Sequence, residues 1–193
     1  CYAFLKNNEK ALADFTSAIL NNPKSAYALI NRGNLYKNTG KYDLAVSDYT
    51  QALLYDPANT DASYSLGNIA YAQNRMDDCI KYMSEVLKND AKATDALSLR
   101  GDAYLAKGQY KLALQDYDDY LKINPGNDVI VAGKAECFSK MGKNEDALKT
   151  YANALTLNPK SIYTLISRGN FFTGHNKYDE AAADFTAAIN IDP

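Results

Sequence analysis

The sequence predicts an all-α solenoid built from repeated pairs of antiparallel helices. Three columns of residues carry this prediction, because each column recurs with a period of 34 residues. The prolines form the first column, and they are Pro23, Pro57, Pro125, Pro159 and Pro193. Small residues form the second column, and they are Ala11, Ala45, Cys79, Ala113, Ala147 and Ala181. Aromatic residues and one methionine form the third, and they are Phe15, Tyr49, Met83, Tyr117, Tyr151 and Phe185. A period of this length is typical of a repeat architecture rather than of one globular core.

The period divides the chain into repeats. Counted from Ala26 as position 1, the full repeats run over 26–59, 60–93, 94–127, 128–161 and 162–193, after a partial repeat at 1–25. The partial repeat starts at position 10, so we expect only half of its first helix, ending before Asn7. Because the pattern begins and ends inside a repeat, we expect 1–193 to be a single solenoid that is a fragment of a longer chain, or else one whose ends are covered by a partner.

Each repeat carries two helical patterns separated by a turn. Apolar and small residues recur at helical spacing before position 15 and again after it. In the full repeats position 15 holds glycine or asparagine, the residue types that tolerate the left-handed conformation closing a helix: Gly40, Asn74, Gly108, Gly142 and Asn176. The sequence therefore predicts that the first helix of every full repeat ends there.

The start of the next repeat is marked by a proline and a helix N-cap. Position 34 holds Ser25, Asn59, Ala93, Asn127 and Ser161. Four of these residues are good N-caps, and Thr94 is a possible substitute beside Ala93. The proline before each cap stops the preceding helix without removing a hydrogen bond that the next helix needs.

The pairing of the two helices is predicted from their small residues. Position 8 holds Gly33, Gly67, Gly101, Ala135 and Gly169. Position 20 is alanine or cysteine in every repeat. We expect positions 8 and 20 to face each other, so that the two helices approach closely.

Arginine and aspartate occur together in alternate repeats. Position 7 holds Arg32, Arg100 and Arg168, and position 23 of the same repeats holds Asp48, Asp116 and Asp184. The two other full repeats lack both residue types at these positions. We interpret the three couples as structural ion pairs between the helices of one repeat, because a half-buried guanidinium needs a carboxylate partner. The alternative is a row of arginines that holds an acidic ligand.

These columns resemble the tetratricopeptide repeat family over the whole chain. The family pattern has a large apolar residue at position 4, Gly at 8, Tyr at 11, Ala at 20, an aromatic residue at 24, Ala at 27 and Pro at 32. The departures are local, since no Trp occupies position 4 and the repeat 60–93 has Ser63, Ala70 and Ala91 at positions 4, 11 and 32. The resemblance implies a right-handed superhelix that acts as a non-catalytic scaffold for protein interactions.

The resemblance also implies where a partner binds. The family uses the concave surface lined by the first helix of each repeat, and the candidate partner-binding residues on it are Tyr27, Asn31, Asn34, Asn38, Tyr64, Asn68, Tyr71, Asp102, Glu136, Tyr163 and Asn170. This surface is aromatic, amide-bearing and faintly acidic, which suits an extended or helical segment of another protein. The position-9 asparagines Asn34, Asn68 and Asn170 are candidates for bonding the main chain of such a segment.

Other functions are disfavoured by composition. The net charge of −2 and the dispersed basic residues argue against nucleic acid as a partner. No apolar run reaches the roughly 18 residues of a membrane span, so direct membrane insertion is not expected. The single histidine, His175, is interpreted as a solvated turn residue, and with three dispersed cysteines it predicts no metal site. No catalytic or cofactor-binding motif occurs, so we expect neither an enzyme nor a cofactor.

The cysteines bear on the compartment. Cys1 and Cys137 share position 10, and Cys79 replaces a recurrent alanine, so all three are interpreted as reduced core residues. Reduced thiols favour an intracellular, cytoplasmic location, with a cytoskeletal or ciliary assembly as a more specific possibility.

Two alternatives concern the role of the scaffold. The chain is a recruiting arm if an enzyme domain, or the rest of a large cytoskeletal or ciliary assembly, lies outside it. A co-chaperone clamp for acidic C-terminal tails is disfavoured, because that class needs Lys at position 5 of one repeat and basic residues at positions 2 and 6 of the third. Ile30, Asp95 and Leu99 occupy these positions here.

Overall fold

A computed structural model describes the backbone of residues 2–192 and the side chains of residues 7–192. Cys1 and Pro193 lie outside the described residues. Eleven helices and no strand occur in the described part of the chain, which confirms the all-α fold of antiparallel helix pairs. The helices are α1 (Tyr2–Asn21), α2 (Ala26–Asn38), α3 (Tyr42–Tyr55), α4 (Thr60–Ala72), α5 (Met76–Asn89), α6 (Thr94–Ala106), α7 (Tyr110–Ile123), α8 (Asp128–Lys140), α9 (Asn144–Leu157), α10 (Ile162–Gly174) and α11 (Tyr178–Ile191).

The helices group into two compact units. The first unit, 1–91, holds α1 to α5, in which α2 packs on α3, α4 packs on α5, and α3 contacts α4. The second unit, 92–193, holds the pairs α6 with α7, α8 with α9, and α10 with α11. Within the second unit α8 contacts α7 and α10, so its repeats stack through neighbouring first and second helices.

The first helix differs from the prediction. A break was expected before Asn7, but α1 continues from Tyr2 to Asn21. Position 15 of this partial repeat is Lys6, where the full repeats have glycine or asparagine. Lysine is a good helix former, and the left-handed conformation is unfavourable for a residue with a long side chain, so the helix is not interrupted.

Helix ends and starts in the full repeats follow the predicted chemistry. The five residues at position 15 all have a positive φ, between 58° at Asn74 and 75° at Gly40. The side chains of Ser25, Asn59, Asn127 and Ser161 each accept a hydrogen bond from the backbone N–H three residues later. Ala93 occupies the N-cap of α6 without a side-chain bond, and Thr94 is the first residue of the helix rather than a substitute cap.

The glycine at position 8 lies against an aromatic ring of the second helix. A Cβ atom added to Gly101 would lie 2.6 Å from Cε1 of Tyr117, and one added to Gly33 would lie 2.9 Å from Cε1 of Tyr49. The small residue at position 8 therefore makes room for the aromatic ring at position 24 of the same repeat. The prediction did not include this contact, because a long ring reaches beyond its own turn of helix and covers the glycine opposite.

The aromatic rings of this column form the centre of each unit. Tyr49 is packed with Leu29 and Leu66 in the first unit, and in the second unit Tyr117 is packed with Cys137. Cys79 and Cys137 are both buried thiols. Burial raises the pKa of the Cys137 thiol to about 12, so it stays protonated and unreactive at neutral pH.

Candidate functional site

The predicted partner-binding residues of the first unit lie on α2 and α4. Tyr27 and Asn38 are exposed on α2, and the exposed fraction of Tyr27 is 75%. Asn31 is half-buried, and its Nδ2 atom donates to the backbone carbonyl of Tyr27 at 2.8 Å. On α4, Tyr64 and Tyr71 are half-buried, so they offer part of each ring to solvent.

The asparagines at position 9 are not equivalent. Asn34 Oδ1 accepts a 2.7 Å hydrogen bond from the hydroxyl of the buried Tyr49. Asn68 Nδ2 donates to the carbonyl of Tyr64 at 3.0 Å. Among the described residues, Asn34 keeps its amide donor unused and Asn68 keeps its carbonyl acceptor unused. A ligand on this unit would therefore meet a donor on α2 and an acceptor on α4.

A further polar contact joins α2 and α4. These are the first helices of their repeats, and we call the first helix of each full repeat an inner helix. Lys37 Nζ on α2 lies 3.4 Å from Oγ of Ser65 on α4, and Ser65 is buried. The lysine is half-buried, so its ammonium group is partly turned toward α4. This contact places one positive charge beside the tyrosines and asparagines of the first unit.

In the second unit, Asp102 on α6 is tied to the core. Its Oδ1 atom accepts a 2.6 Å hydrogen bond from the hydroxyl of Tyr117. Burial raises the pKa of the Asp102 carboxyl, and the nearby charge of Glu136 raises it further, whereas the bond from Tyr117 opposes this rise. Burial and the Asp102 charge also raise the pKa of Tyr117, so its phenol stays protonated and donates.

Glu136 on α8 is held by α10. Its Oε1 atom accepts hydrogen bonds from Oγ of Ser167 at 2.6 Å and from the hydroxyl of Tyr163 at 3.2 Å. Burial is the largest cause of a raised pKa at Tyr163, followed by the charge of Glu136. The structure thus brings two predicted residues, Glu136 and Tyr163, into direct contact, with Ser167 as a third member that the prediction lacked.

A cleft of about 280 Å³ opens beside Glu136. We call it the α8–α10 cleft, and it is lined by Glu136, Ser139, Lys140, Tyr151, Ser167, Asn170, Phe171, Gly174 and His175. The rings of Tyr151 and Phe171 pack at a centroid distance of 6.0 Å in its wall. Asn170, the third predicted position-9 asparagine, is exposed at the cleft.

His175 is a functional candidate that the sequence reading missed. It is exposed, as expected of a turn residue, but its ring lies 4.2 Å from that of Phe171 between centroids. Its Nδ1 atom is 2.8 Å from the Phe171 carbonyl, and because a carbonyl only accepts, Nδ1 carries the proton. The four-residue spacing of Phe171 and His175 at a helix end was the available signal, since such residues share one helix face.

The alternating arginines are engaged inside their repeats. In each of the three couples the arginine Nε and Nη2 atoms donate to the two carboxylate oxygens, at 2.7 to 2.9 Å. Asp48, Asp116 and Asp184 are buried. Each guanidinium also lies within 5.8 Å of an aromatic ring four residues later, at Tyr36, Tyr104 and Phe172. These bidentate contacts favour the structural interpretation over a row that holds an acidic ligand.

No group of three or more His, Cys, Asp or Glu residues is arranged for a metal ion within residues that the structure describes. Over the same residues, no helix combines the length and the apolar character required to cross a bilayer.

Stacked antiparallel helix pairs with a 34-residue period define an α-helical repeat protein of the solenoid class. The chain belongs to the tetratricopeptide repeat family. Two family models, both described as tetratricopeptide repeat, match it, one at residues 30–93 and 78–128 and the other at 104–168. Its fold is that of a scaffold for protein–protein interaction, a class whose members are generally non-catalytic.

Solved structures show the same fold at low sequence identity. YrrB, described as a TPR protein with an unusual peptide-binding site, is 22% identical, with a TM-score of 0.72 over 93% of this chain and 92% of that chain. MamA from Desulfovibrio magneticus is 17% identical, with a TM-score of 0.76 over 86% and 94%. A tetratricopeptide repeat protein from Parabacteroides merdae is 21% identical, with a TM-score of 0.68 over 99% and 75%. No curated protein sequence matches the chain.

Proposed function

We propose that the chain binds an extended or helical segment of a partner protein on its inner helices, without catalysing a reaction. Each unit has its own candidate binding surface, which is formed by α2 and α4 in the first unit and by α6, α8 and α10 in the second. The observation that carries this proposal is the unused hydrogen-bonding capacity on α2 and α4, where the Asn34 amide donor and the Asn68 carbonyl acceptor share helices with the exposed Tyr27 and the half-buried Tyr64. A donor and an acceptor can bond the main chain of a segment of almost any sequence.

The tyrosines supply the apolar part of the surface. Tyr27 and Tyr163 are 75% and 43% exposed on first helices, and Tyr64 and Tyr71 show part of each ring. Tyrosine is enriched among residues that dominate binding energy, because it buries a large area while losing little conformational freedom. Polar amides between such rings determine where a bound chain lies, whereas the rings contribute most of the affinity.

The comparison with YrrB supports the same class of ligand. Its description names a peptide-binding site on a protein that shares this fold. A peptide is the ligand that we propose for the inner helices here, although the site residues are argued from this chain alone.

A peptide-display selection tests the proposal. Random linear peptides are selected on the immobilised 193-residue chain, and the affinities of the enriched peptides are measured for Tyr27→Ala and Tyr64→Ala. Each substitution is expected to weaken binding about tenfold or more, as hot-spot tyrosines do. Tyr42→Ala is the matched control, because Tyr42 is a 46% exposed tyrosine on the second helix α3.

Two results would overturn the proposal. One is a set of enriched peptides whose affinities are unchanged by Tyr27→Ala and by Tyr64→Ala. The other is an equal loss of affinity in Tyr42→Ala, which would place the peptide on the outer helices. Circular dichroism of each variant checks that its helix content is retained.

A further inference from the structure

Three tyrosines occupy position 24 of their repeats, and one of them, Tyr151, forms no side-chain hydrogen bond with a described residue. The hydroxyl of Tyr49 donates to Asn34, and that of Tyr117 donates to Asp102. The hydroxyl of Tyr151 bonds to none of the described residues, although the side chain is 1% exposed. The ring is buried, but the hydroxyl oxygen reaches the α8–α10 cleft, so it is open to a hydrogen bond from a ligand group.

The missing bond is explained by the orientation of Glu136. Glu136 is the position-9 residue of its repeat, equivalent to Asn34 and Asp102. Its Oε1 atom is occupied by Ser167 and Tyr163 from α10, so it does not serve Tyr151. The Oε2 atom of Glu136 and the hydroxyl oxygen of Tyr151 therefore remain as two unused acceptors in the α8–α10 cleft.

The charge around these acceptors is negative. Neither Glu136 nor Asp102 forms an ion pair with a described residue. The two carboxylates interact, since the charge of Glu136 contributes to the raised pKa of Asp102. Lys134, on the same helix as Glu136, is paired with Asp118 instead. Lys140 lines the cleft but is exposed at its edge, so it is well solvated and opposes the two carboxylates only weakly.

The walls of the cleft favour a cation as well. Tyr151, Phe171 and His175 form a continuous aromatic wall, with centroid distances of 6.0 Å and 4.2 Å between successive rings. Aromatic faces attract guanidinium and ammonium groups, most strongly where water is partly excluded. The volume of about 280 Å³ lies just below the range of ordinary small-molecule sites, about 300 to 1,000 Å³, which suits a single side chain.

We propose that the α8–α10 cleft receives an arginine side chain from the bound partner segment. The inference rests on the proposed function, because the arginine belongs to a segment lying on α8 and α10. Its planar guanidinium carries several N–H donors in a fixed fork, so it donates to Glu136 Oε2 and to the Tyr151 hydroxyl oxygen together. The aliphatic part of the side chain packs against Phe171.

The direct test uses a small probe rather than an unknown partner. N-acetyl-arginine N-methylamide is titrated into the ¹⁵N-labelled 193-residue chain, and the backbone amide shifts of Glu136, Phe171 and His175 are followed. The uncharged isostere N-acetyl-citrulline N-methylamide is titrated in parallel. We expect saturable shifts at the cleft with the arginine probe, and about tenfold weaker binding of citrulline, because a charge-assisted hydrogen bond is lost.

Variants locate the effect. Glu136→Gln is expected to weaken the arginine probe about tenfold, and Tyr151→Phe to weaken it several-fold, since each removes one acceptor. Glu180→Gln is the matched control, because it removes the same charge from an exposed site on α11. Lys140→Gln should leave binding unchanged or strengthen it. The amide spectrum of each variant shows whether its fold is retained.

Several outcomes would overturn the inference. The first is equal affinity for the citrulline and arginine probes. The second is that the amide shifts lie outside the cleft. The third is that neither Glu136→Gln nor Tyr151→Phe changes the affinity for the arginine probe. Equal binding of a lysine probe would contradict the fork geometry. The proposed function is tested separately. If the display-selected peptides bind the inner helices but show no preference for arginine, the proposed function is supported and the arginine inference fails. If the arginine probe binds in the cleft but no display-selected peptide binds the inner helices, the proposed function fails and the cleft remains an arginine site.

Discussion

The hydroxyl of Tyr117 donates a 2.6 Å hydrogen bond to Oδ1 of Asp102 across the α6 and α7 pair. The ring reaches the carboxylate because residues on both sides of it lack side chains, at Gly101 in its own repeat and at Gly133 in the next. Tyr151 occupies the same repeat position but makes no such bond to a described residue. The two tyrosines therefore separate the contribution of a buried hydroxyl from that of its ring.

Removing each hydroxyl gives the first prediction. Tyr117→Phe should lower the free energy of unfolding by about 1–3 kcal/mol, because Asp102 loses its donor while remaining mostly buried. Tyr151→Phe should change it by less than about 0.5 kcal/mol, because no internal hydrogen bond is lost. Urea unfolding followed by circular dichroism measures both. Equal effects of the two substitutions would show that Tyr151 has an internal partner.

The raised pKa of Asp102 gives a prediction about pH. The folded pKa lies above the ordinary value of 3.8, so the folded state holds a proton that the unfolded state releases in the window between the two values. The contribution of Asp102 to stability is therefore fully present below 3.8 and is lost as the pH rises through the folded pKa. Asp102→Asn stays uncharged throughout.

The quantity to measure is the difference in the free energy of unfolding between the wild-type chain and Asp102→Asn. Urea unfolding of the wild-type chain and of Asp102→Asn is compared at pH values from about 3.5 to 7.5. The free energy of unfolding of the wild type, relative to that of the variant, should fall as the pH rises across this range. A constant difference would mean that Asp102 titrates alike in the folded and unfolded chain, contrary to its position beside Tyr117 and Glu136.

Local chemistry explains what the sequence predicts well. The left-handed residues such as Asn74 and the N-caps such as Asn59 act within a few residues of their own backbone, so residue type and position suffice to place them. The ion pair of Arg32 with Asp48 is also predictable from the sequence, because the joint presence and joint absence of the two residue types across the repeats indicates a shared contact. These features need no knowledge of side-chain conformation.

Side-chain orientation explains what the sequence does not predict. The contact of Gly101 with Tyr117 depends on how far a ring extends along the helix pair, which column spacing does not contain. The α8–α10 cleft depends on Glu136 turning to Ser167 rather than to Tyr151. Either partner fits the repeat pattern, and only packing in three dimensions decides between them.

The glycine at position 8 gives a prediction on packing. Gly101→Ala places a Cβ 2.6 Å from the Tyr117 ring, which is held by Asp102 and cannot move away easily. We expect a loss of about 1–3 kcal/mol in the free energy of unfolding. Gly67→Ala is the matched control, because the atom that its Cβ would crowd is the terminal methyl of Met83, while Tyr82 Cβ at 3.4 Å and the Met83 sulfur at 3.5 Å are ordinary contacts.

The control Gly67→Ala should not lower the free energy of unfolding. Met83 is unbranched and can adopt another rotamer, while alanine is favoured over glycine in a helix by about 1 kcal/mol. Gly67→Ala should therefore be neutral or slightly stabilising in a urea unfolding experiment. Comparable destabilisation by both substitutions would indicate that the helix backbones, rather than the residue at position 24, limit the space.

The uncapped helix α6 gives a prediction of increased stability. Ala93 has the extended backbone of an N-cap, with φ of −65° and ψ of 90°, but its side chain cannot accept a hydrogen bond. Ala93→Asn should raise the free energy of unfolding by about 1 kcal/mol, because Asn59 and Asn127 already cap their helices in this way. A thermal melt provides the measurement, and Ala91→Asn, two residues earlier, is the control. An unchanged or lowered melting temperature in Ala93→Asn would contradict the prediction.

The last prediction concerns the ion pair of Arg32 with Asp48, in which the aspartate is 3% exposed. Arg32→Met should lower the free energy of unfolding by about 3 kcal/mol, because it leaves a buried carboxylate without its bidentate partner. The double variant Arg32→Met with Asp48→Leu should recover most of this loss, since no charge then remains buried. Arg75→Met is the control, because Arg75 and Asp78 are both exposed and such pairs contribute less than about 1 kcal/mol. Urea unfolding at low and high salt completes the test. A double variant less stable than Arg32→Met alone would mean that Asp48 stabilises the α2 and α3 pair by contacts other than the arginine.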